Sequence, residues 1–508
     1  MRLVRSVNDT TAGGGFIAEI QTHMANGLPH IQLIGFAGKS LDEAKERVRS
    51  AIANSSLDLP RKKITINIAP SDIPKDGSHY DLAIALSILQ TSEQIKAVSE
   101  DVVVLGELGL DGSVKSIRGI LGKILTAKKL GFNNFIIPVD NFAQAELIPS
   151  IKIASAITLK DLSRKINEND LGFVDTNDGA ALKTQKNKTS AIEIDFSDVI
   201  GQAVAKRALE IAASGQHNVL LSGPPGVGKS MLAKALLGIM PPLNRDEAII
   251  VTHLHSLVGP NTNALITERP IRSPHHSTSD IALIGGGQKP RPGEISLSHK
   301  GILFLDELPE FKRNSIESLR QPLEDKVVTI SRAQDRATYP ADFLLIATKN
   351  PCPCGYYGST KTCSCTALEI DRYRKKLSGP VMDRIDIHVT VDSIDHSALL
   401  QQKINNNTET SDIIRVRVEK TIDTQKNRFK DTMKRNGSMT NREVKKFANL
   451  SSPAKELLDT AAQRLDISAR VYMKTVKVAR TIADLDSSAT IEIQHISEAL
   501  RYRPLPTS

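Results

Sequence analysis

Hydrophobic and polar positions fall into three regimes along the chain. Over residues 1–165, short apolar runs (ITINIAP, DVVVLGEL, NFIIP) are mixed with amphipathic segments, which predicts an α+β domain. Residues 166–192 are polar, poor in large apolar side chains and without a sustained period, and they read as a linker. From 193 to 395, β-rich apolar runs alternate with helical patterns, which predicts an α/β domain built on a parallel sheet. From 396 to 508 the pattern is helical. Ser452-Pro453 opens one helix, with Leu457, Leu458, Ala461 and Leu465 on one face. A second starts near Ile467-Ser468 and runs through Arg480, and a third follows TIEIQH towards Tyr502.

Composition narrows the class. A chain of 508 residues exceeds what one hydrophobic core serves, so two to four domains are expected. No stretch approaches the ~20 apolar residues of a membrane span. The N-terminus MRLVRSVNDTTAGGGF lacks the apolar core of a signal peptide, so the expected location is the cytoplasm, with no membrane partner. There the four cysteines point to a metal or free thiols rather than disulfides. The formal charge of +9 fits a polyanionic partner such as DNA. With no tryptophan and few other aromatics, a base-stacking surface is not expected. A nucleic-acid grip would track phosphates and weaken with salt.

The sharpest signal is NVLLSGPPGVGKSMLAKALLGIM. The apolar run Val219 to Leu221 leads into Gly223, Pro224, Pro225, Gly226, Val227, Gly228, Lys229 and Ser230, and a helix starts at Lys229. The glycines let backbone N–H groups turn towards a phosphate at a helix N-terminus. Lys229 supplies a charge to the β/γ-phosphates of ATP, and the Ser230 hydroxyl is a magnesium ligand. In KGILFLDELPEF the apolar run Ile302 to Leu305 delivers Asp306 and Glu307 to a strand tip, Asp306 for the metal and Glu307 for the attacking water. The third run, FLLIATKNP, ends in Asn350. Lying between the other two strands, it would face Asn350 to the γ-phosphate, whereas an Asn before Pro is also an ordinary strand-ending turn.

All four cysteines fall within CPCGYYGSTKTCSC, as Cys352, Cys354, Cys363 and Cys365. Two Cys-x-Cys pairs in extended backbone offer four thiolates to one structural, tetrahedral zinc, the alternative being a reduced, metal-free loop. Two insertions carry candidate DNA contacts. Lys289 and Arg291 lie in IGGGQKPRPGE, and Arg332 and Arg336 in VVTISRAQDRATYP, which reads as a hairpin. For any one of these residues, a solvated loop charge is the competing reading.

Together GPPGVGKS, ILFLDELPEF, ATKNPCPCGYYG and SGPVMDRIDIHV resemble the magnesium-chelatase-like AAA+ ATPases. RSPHHSTSD and RPGEISLSHKGILFLDELPEF narrow the resemblance to the ComM/YifB family. It implies that Asn350 is the γ-phosphate sensor, that Arg384 in MDRIDI is an arginine finger reaching a neighbouring subunit's ATP, and that Arg470 is the sensor on the helical lid. A finger in trans implies a closed head-to-tail ring, six subunits by analogy. The family implies a DNA helicase driving branch migration in natural transformation, with recombination proteins as further partners. A chelatase-like motor acting on a protein partner is the rival reading. His275 and His276 are family hallmarks to which the residues assign no chemistry beyond local hydrogen bonding. PSDIPKDGSHYDLAIALSIL and LGELGLDGSVKSIRGILGKILTAKKLG resemble the Lon protease domain. Its catalytic Ser position falls on His79 and its Lys position on Leu121, with Ser78 and Lys123 out of register, so a Lon-like fold without the dyad is implied.

Overall fold

The computed structural model describes residues 3–8, 15–35, 39–71, 75, 77–176, 194–259, 265–287, 290–331, 336–359, 361–377, 379–392 and 409–504. The chain forms two compact units. The first comprises Met1–Gln185 with Arg245–Ile266 and Ala337–Tyr339, and the second comprises Lys186–Asn244, Thr267–Arg336 and Pro340–Ser508. Among the described residues, no helix is long and apolar enough to cross a membrane.

The first unit is built on an eight-stranded mixed sheet. Its strand order is Val174–Asp175, Lys152–Ala156, Asn134–Pro138, Val102–Val104, Leu3–Asn8, Phe16–Ala25, Lys63–Ala69, His30–Ile34. Apolar helices cover it, most completely Asp81–Thr91, in which ten consecutive residues, Asp81 to Gln90, are buried. The end of the helix Leu159–Glu168 and the strand Val174–Asp175 fall within the stretch read as a linker, while 177–193 lie outside the described residues. The helix Arg245–Ser256 belongs to this unit although its sequence lies within the predicted motor domain. It packs on the helix Ile120–Lys129, and the Arg245 guanidinium donates to the Leu147 carbonyl at 3.1 Å.

In the Lon-like region, Leu121 is buried among Val7, Ile117 and Ile124. His79 is also buried, and desolvation together with the nearby Lys123 charge holds its imidazole well below its usual pKa, hence neutral. The Ser78 hydroxyl donates to the Glu107 carboxylate. An apolar residue at the lysine position and a hydroxyl committed to a carboxylate do not make a Ser–Lys dyad.

The second unit contains a five-stranded parallel sheet in the order Ile271–Arg272, Ile302–Leu305, Leu344–Lys349, Val219–Ser222, Ile387–Thr390. Ile302–Leu305 is buried at all four positions, the uninterrupted apolar run of a strand covered on both faces. The strand Leu344–Lys349 lies between Val219–Ser222 and Ile302–Leu305, the order anticipated from sequence. All three therefore bring their C-terminal tips to one edge.

The C-terminal helices share this unit's core. Ile414, Val418 and Ile422 on Ser411–Phe429, and Val476, Ala479 and Ile482 on Ala469–Leu485, are buried in one cluster with Val219, Leu221 and Ile346. A buried polar network pins them. His217 bonds Thr481 at 2.8 Å, Asn436 donates to Thr481 and Asp484, and Asp484 receives Arg428 and Arg480. The helix Ser452–Arg464 has Pro in its first turn and buries Leu458. Leu465 departs from its expected place: it follows the last helical residue and is 40% exposed.

Candidate nucleotide site and cysteine cluster

Gly223 must be glycine because its backbone runs against that of Val391, where a Cβ would lie 2.2 Å from the Val391 carbonyl oxygen. Gly226 and Gly228 adopt φ of 81° and 90°, and among the described residues none lies within 4 Å of where a Cβ would stand on either. The loop thus leaves its concave side clear, which fits a phosphate cradle at the start of the helix Lys229–Ile239.

Five predicted residues converge here. The Lys229 ammonium donates to the carbonyls of Gly223 and Pro224 and, at 3.0 Å, to Asn350 Oδ1. Burial holds the pKa of Lys229 below that of a free lysine, a pull opposed by the charges of Asp306 and Glu307. The Ser230 hydroxyl donates to Asp306 Oδ2 at 3.1 Å, so two oxygen ligands suited to magnesium already face one another. Asn350 Nδ2 donates to Glu307 Oε1 at 3.4 Å. The side chains thus form two hydrogen-bonded sets at one sheet edge, Lys229–Asn350–Glu307 and Ser230–Asp306.

One member of the site escaped the sequence reading. Thr348, fully buried, donates to Asp306 Oδ1 at 2.6 Å and accepts the Glu307 backbone N–H at 2.8 Å. It thereby fixes the carboxylate of one acid and the backbone of the next. Glu307 needs that anchor, since it occupies left-handed backbone at φ 52°. A threonine at the end of a strand is an ordinary β-former, and only its pairing beside Asp306 reveals the role.

Arg384 and Arg470 lie together elsewhere in this unit. Arg384 donates to the Pro380 carbonyl and pairs with Glu324, and Arg470 reaches Asp383 at 3.4 Å. None of these partners belongs to the phosphate loop. His275 bonds Ser277 at 2.8 Å and stacks on His276, which meets Phe311 edge-on, the local role anticipated for the pair. Arg291 is exposed on a two-stranded hairpin of Gly285–Gly286 with Arg291–Pro292. Arg336 begins the strand Arg336–Pro340. Lys289 and Arg332 lie outside the described residues.

The four cysteine sulfurs lie within 4.8 Å of one another. Cys352 is 3.4 Å from Cys354 and 3.7 Å from Cys363, and Cys354 is 3.5 Å from Cys363. A tetrahedron of about 2.3 Å zinc–sulfur bonds has edges of about 3.8 Å, so the donor set fits zinc. Backbone N–H groups of Tyr357 and Cys354 point at Cys352 Sγ and Cys365 Sγ, at 3.3 and 3.4 Å. Cys352 to Cys354 sits in a turn rather than the extended backbone expected, and the turn is what folds two sulfurs together.

Three family models match in sequence order: subunit ChlI of magnesium chelatase over residues 20–141, magnesium chelatase subunit ChlI over 195–399, and its C-terminal region over 408–503. The competence protein ComM of Haemophilus influenzae is 39% identical over 497 residues, covering 96% of this chain and 95% of its own. YifB of Salmonella typhimurium is 39% identical over 489 residues, covering 96% and 94%. A Lon protease of Leptospira interrogans is 30% identical over 142 residues, 27% of this chain and 17% of that one. With relatives at this identity along nearly the whole length, and the α/β module in place, the chain belongs to the ComM/YifB family of magnesium-chelatase-like AAA+ proteins.

Proposed function

We propose that the chain is an ATP-hydrolysing, ring-forming DNA motor, a hexameric helicase that drives branch migration of recombination intermediates during natural transformation. The observation that carries the motor reading is the convergence of Lys229, Ser230, Asp306, Glu307 and Asn350 on the open phosphate loop. Magnesium held by Ser230 and Asp306 would neutralise charge on the β- and γ-phosphates. Lys229 exchanges its loop carbonyls for phosphate oxygens. Glu307 orients and deprotonates water, and Asn350, bonded to both Lys229 and Glu307, is placed to report whether the γ-phosphate is present. Arg384, leaving Glu324, completes the neighbouring subunit's site, and Arg470 acts from the lid. Zinc at the four cysteines is structural, since no coordination position is left open.

DNA as substrate is supported by the excess positive charge and by the name of the relative from Haemophilus influenzae. Contacts come from Arg291 and Arg336, with Lys289 and Arg332 on the same insertions, and recombination proteins are the expected partners in the cytoplasm. The test is ATPase rate with single-stranded, double-stranded and four-way-junction DNA, beside Lys229→Ala. Stimulation that falls with salt and vanishes in the variant is expected, and a rate indifferent to all three DNAs sinks the helicase. The descriptions of the matching family models favour a second reading, a chelatase-like motor remodelling a protein partner. In that case a protein, and no DNA, stimulates the ATPase.

A further inference from the structure

The cysteine turn and the phosphate loop touch. Gly355, between the second and third cysteines, has φ of 86°, and a Cβ placed on it would lie 2.7 Å from Cδ and 3.2 Å from Cγ of Pro225. The backbone of the turn is therefore the surface on which the Pro225 ring rests, one residue before Gly226. The Gly355 N–H closes the turn onto the Cys352 carbonyl at 3.0 Å, which ties this surface to a metal ligand. On the other side, Asn350 lies two residues before Cys352, and the Gly223 N–H bonds the Lys349 carbonyl at 3.2 Å. The phosphate loop is thus held by the sensor strand at its start and by the cysteine turn at its middle.

Here a turn whose cysteines could hold a structural metal meets the phosphate loop at Pro225. A proline ring seated on backbone does not yield as a flexible side chain does, so displacement on one side is transmitted to the other. We propose that Gly355 is a positioning residue for nucleotide binding: the metal-closed turn is the floor of the phosphate loop, and metal occupancy at Cys352, Cys354, Cys363 and Cys365 sets the loop's affinity for ATP. The inference rests on the reading of the two sites as an ATP site and a zinc site. It adds a dependence of the first on the second. Loss of the metal, or oxidation of the thiols by peroxide to disulfides with the peroxide reduced to water, releases the floor and weakens nucleotide binding without touching a phosphate ligand.

The turn contains its own control. Gly358 has φ of 75°, comparable backbone strain for any other residue, but among the described residues nothing lies within 4 Å of the position its Cβ would take. The experiment compares full-length wild type, Gly355→Ala, Gly358→Ala, Pro225→Ala and the double variant Pro225→Ala/Gly355→Ala. The readouts are zinc per chain, dissociation constant for a fluorescent ATP analogue, and the KM and kcat of ATP hydrolysis. Gly355→Ala should keep its zinc while its dissociation constant and KM rise at least tenfold, kcat changing less. Gly358→Ala should stay within about twofold of wild type. The double variant should bind as Pro225→Ala alone does, because the methyl group then has room. Zinc stripping of the wild type should reproduce the tenfold weakening, and zinc return should reverse it. The inference is overturned if Gly355→Ala matches Gly358→Ala, if the double variant keeps the full Gly355→Ala penalty, or if stripped protein binds the analogue as well as before. A wild type that takes up neither zinc nor the analogue overturns the underlying functional reading, and the inference with it.

Discussion

Replacing Thr348 by valine keeps the branched shape of the side chain and removes one oxygen. That oxygen makes two buried bonds, to Asp306 Oδ1 at 2.6 Å and from the Glu307 N–H at 2.8 Å. A short bond to a carboxylate contributes about 1.5–3 kcal/mol, and a backbone N–H stranded without a partner costs about 1–3 kcal/mol. The expected loss of stability is therefore about 3–5 kcal/mol, or roughly 6–10 °C in the unfolding of the second unit at about 2 °C per kcal/mol. Catalysis suffers through geometry. Without the hydroxyl, Asp306 can rotate away from Ser230, and Glu307 loses the anchor of its left-handed backbone. If about 2 kcal/mol of that orientation reaches the transition state, kcat falls ~30-fold. KM should move less than about threefold, because the phosphate loop and Lys229 are untouched. Steady-state ATPase kinetics and differential scanning calorimetry on Thr348→Val and Thr348→Ser measure both effects, with serine expected to recover most of each. Thr348→Val with wild-type kcat and wild-type melting would refute the role assigned to this hydroxyl.

Three further outcomes follow from named contacts. If Arg384 acts in trans, Arg384→Ala and Lys229→Ala should each be nearly inactive alone. Mixed in equal amounts they should regain activity at about one site in four, and mixing that restores nothing argues against the trans finger. His299 and His388 are kept neutral chiefly by burial, which lowers their pKa to about 3 and about 4. Only the unfolded chain takes up their protons between pH 6.5 and 5, so the second unit should lose about 1.6 kcal/mol per histidine as pH falls through that interval. A melting temperature flat across it, or one unaltered in slope by His388→Gln, contradicts this. Asp484, almost fully buried, pairs with Arg428 and Arg480 and accepts from Asn436. Asp484→Ala leaves the buried Arg480 cation uncompensated and should cost about 3–5 kcal/mol by chemical denaturation, whereas a loss under 1 kcal/mol would mean the network relaxes.

The placement of residues at the strand tips was readable from sequence because it follows from local pattern. A phosphate loop needs glycines, a lysine and a hydroxyl in one short run, and Asp306-Glu307 follows directly from an apolar strand of four residues. Even the placement of Asn350 required only the order of three strands. The helix Arg245–Ser256 was a different matter: an amphipathic pattern tells that a face is buried, not against what, and its partner lies more than a hundred residues earlier. Arg384 with Glu324, sixty residues apart, was equally out of reach.

The residues that aim the chemistry share a property that hides them. Thr348 and Gly355 are nondescript types at unremarkable positions, a β-former in a strand and a glycine in a turn. Their roles come from register and close approach, Thr348 beside Asp306 and Gly355 beneath Pro225. Neither touches a phosphate, so neither belongs to a recognisable motif. Their substitutions should therefore separate functions that motif residues alter together. Thr348→Val should lower kcat with nucleotide affinity largely kept, Gly355→Ala should weaken affinity with zinc kept, and Lys229→Ala should remove binding and turnover at once. Only a site whose binding loop and catalytic acids are supported by different contacts yields that three-way split.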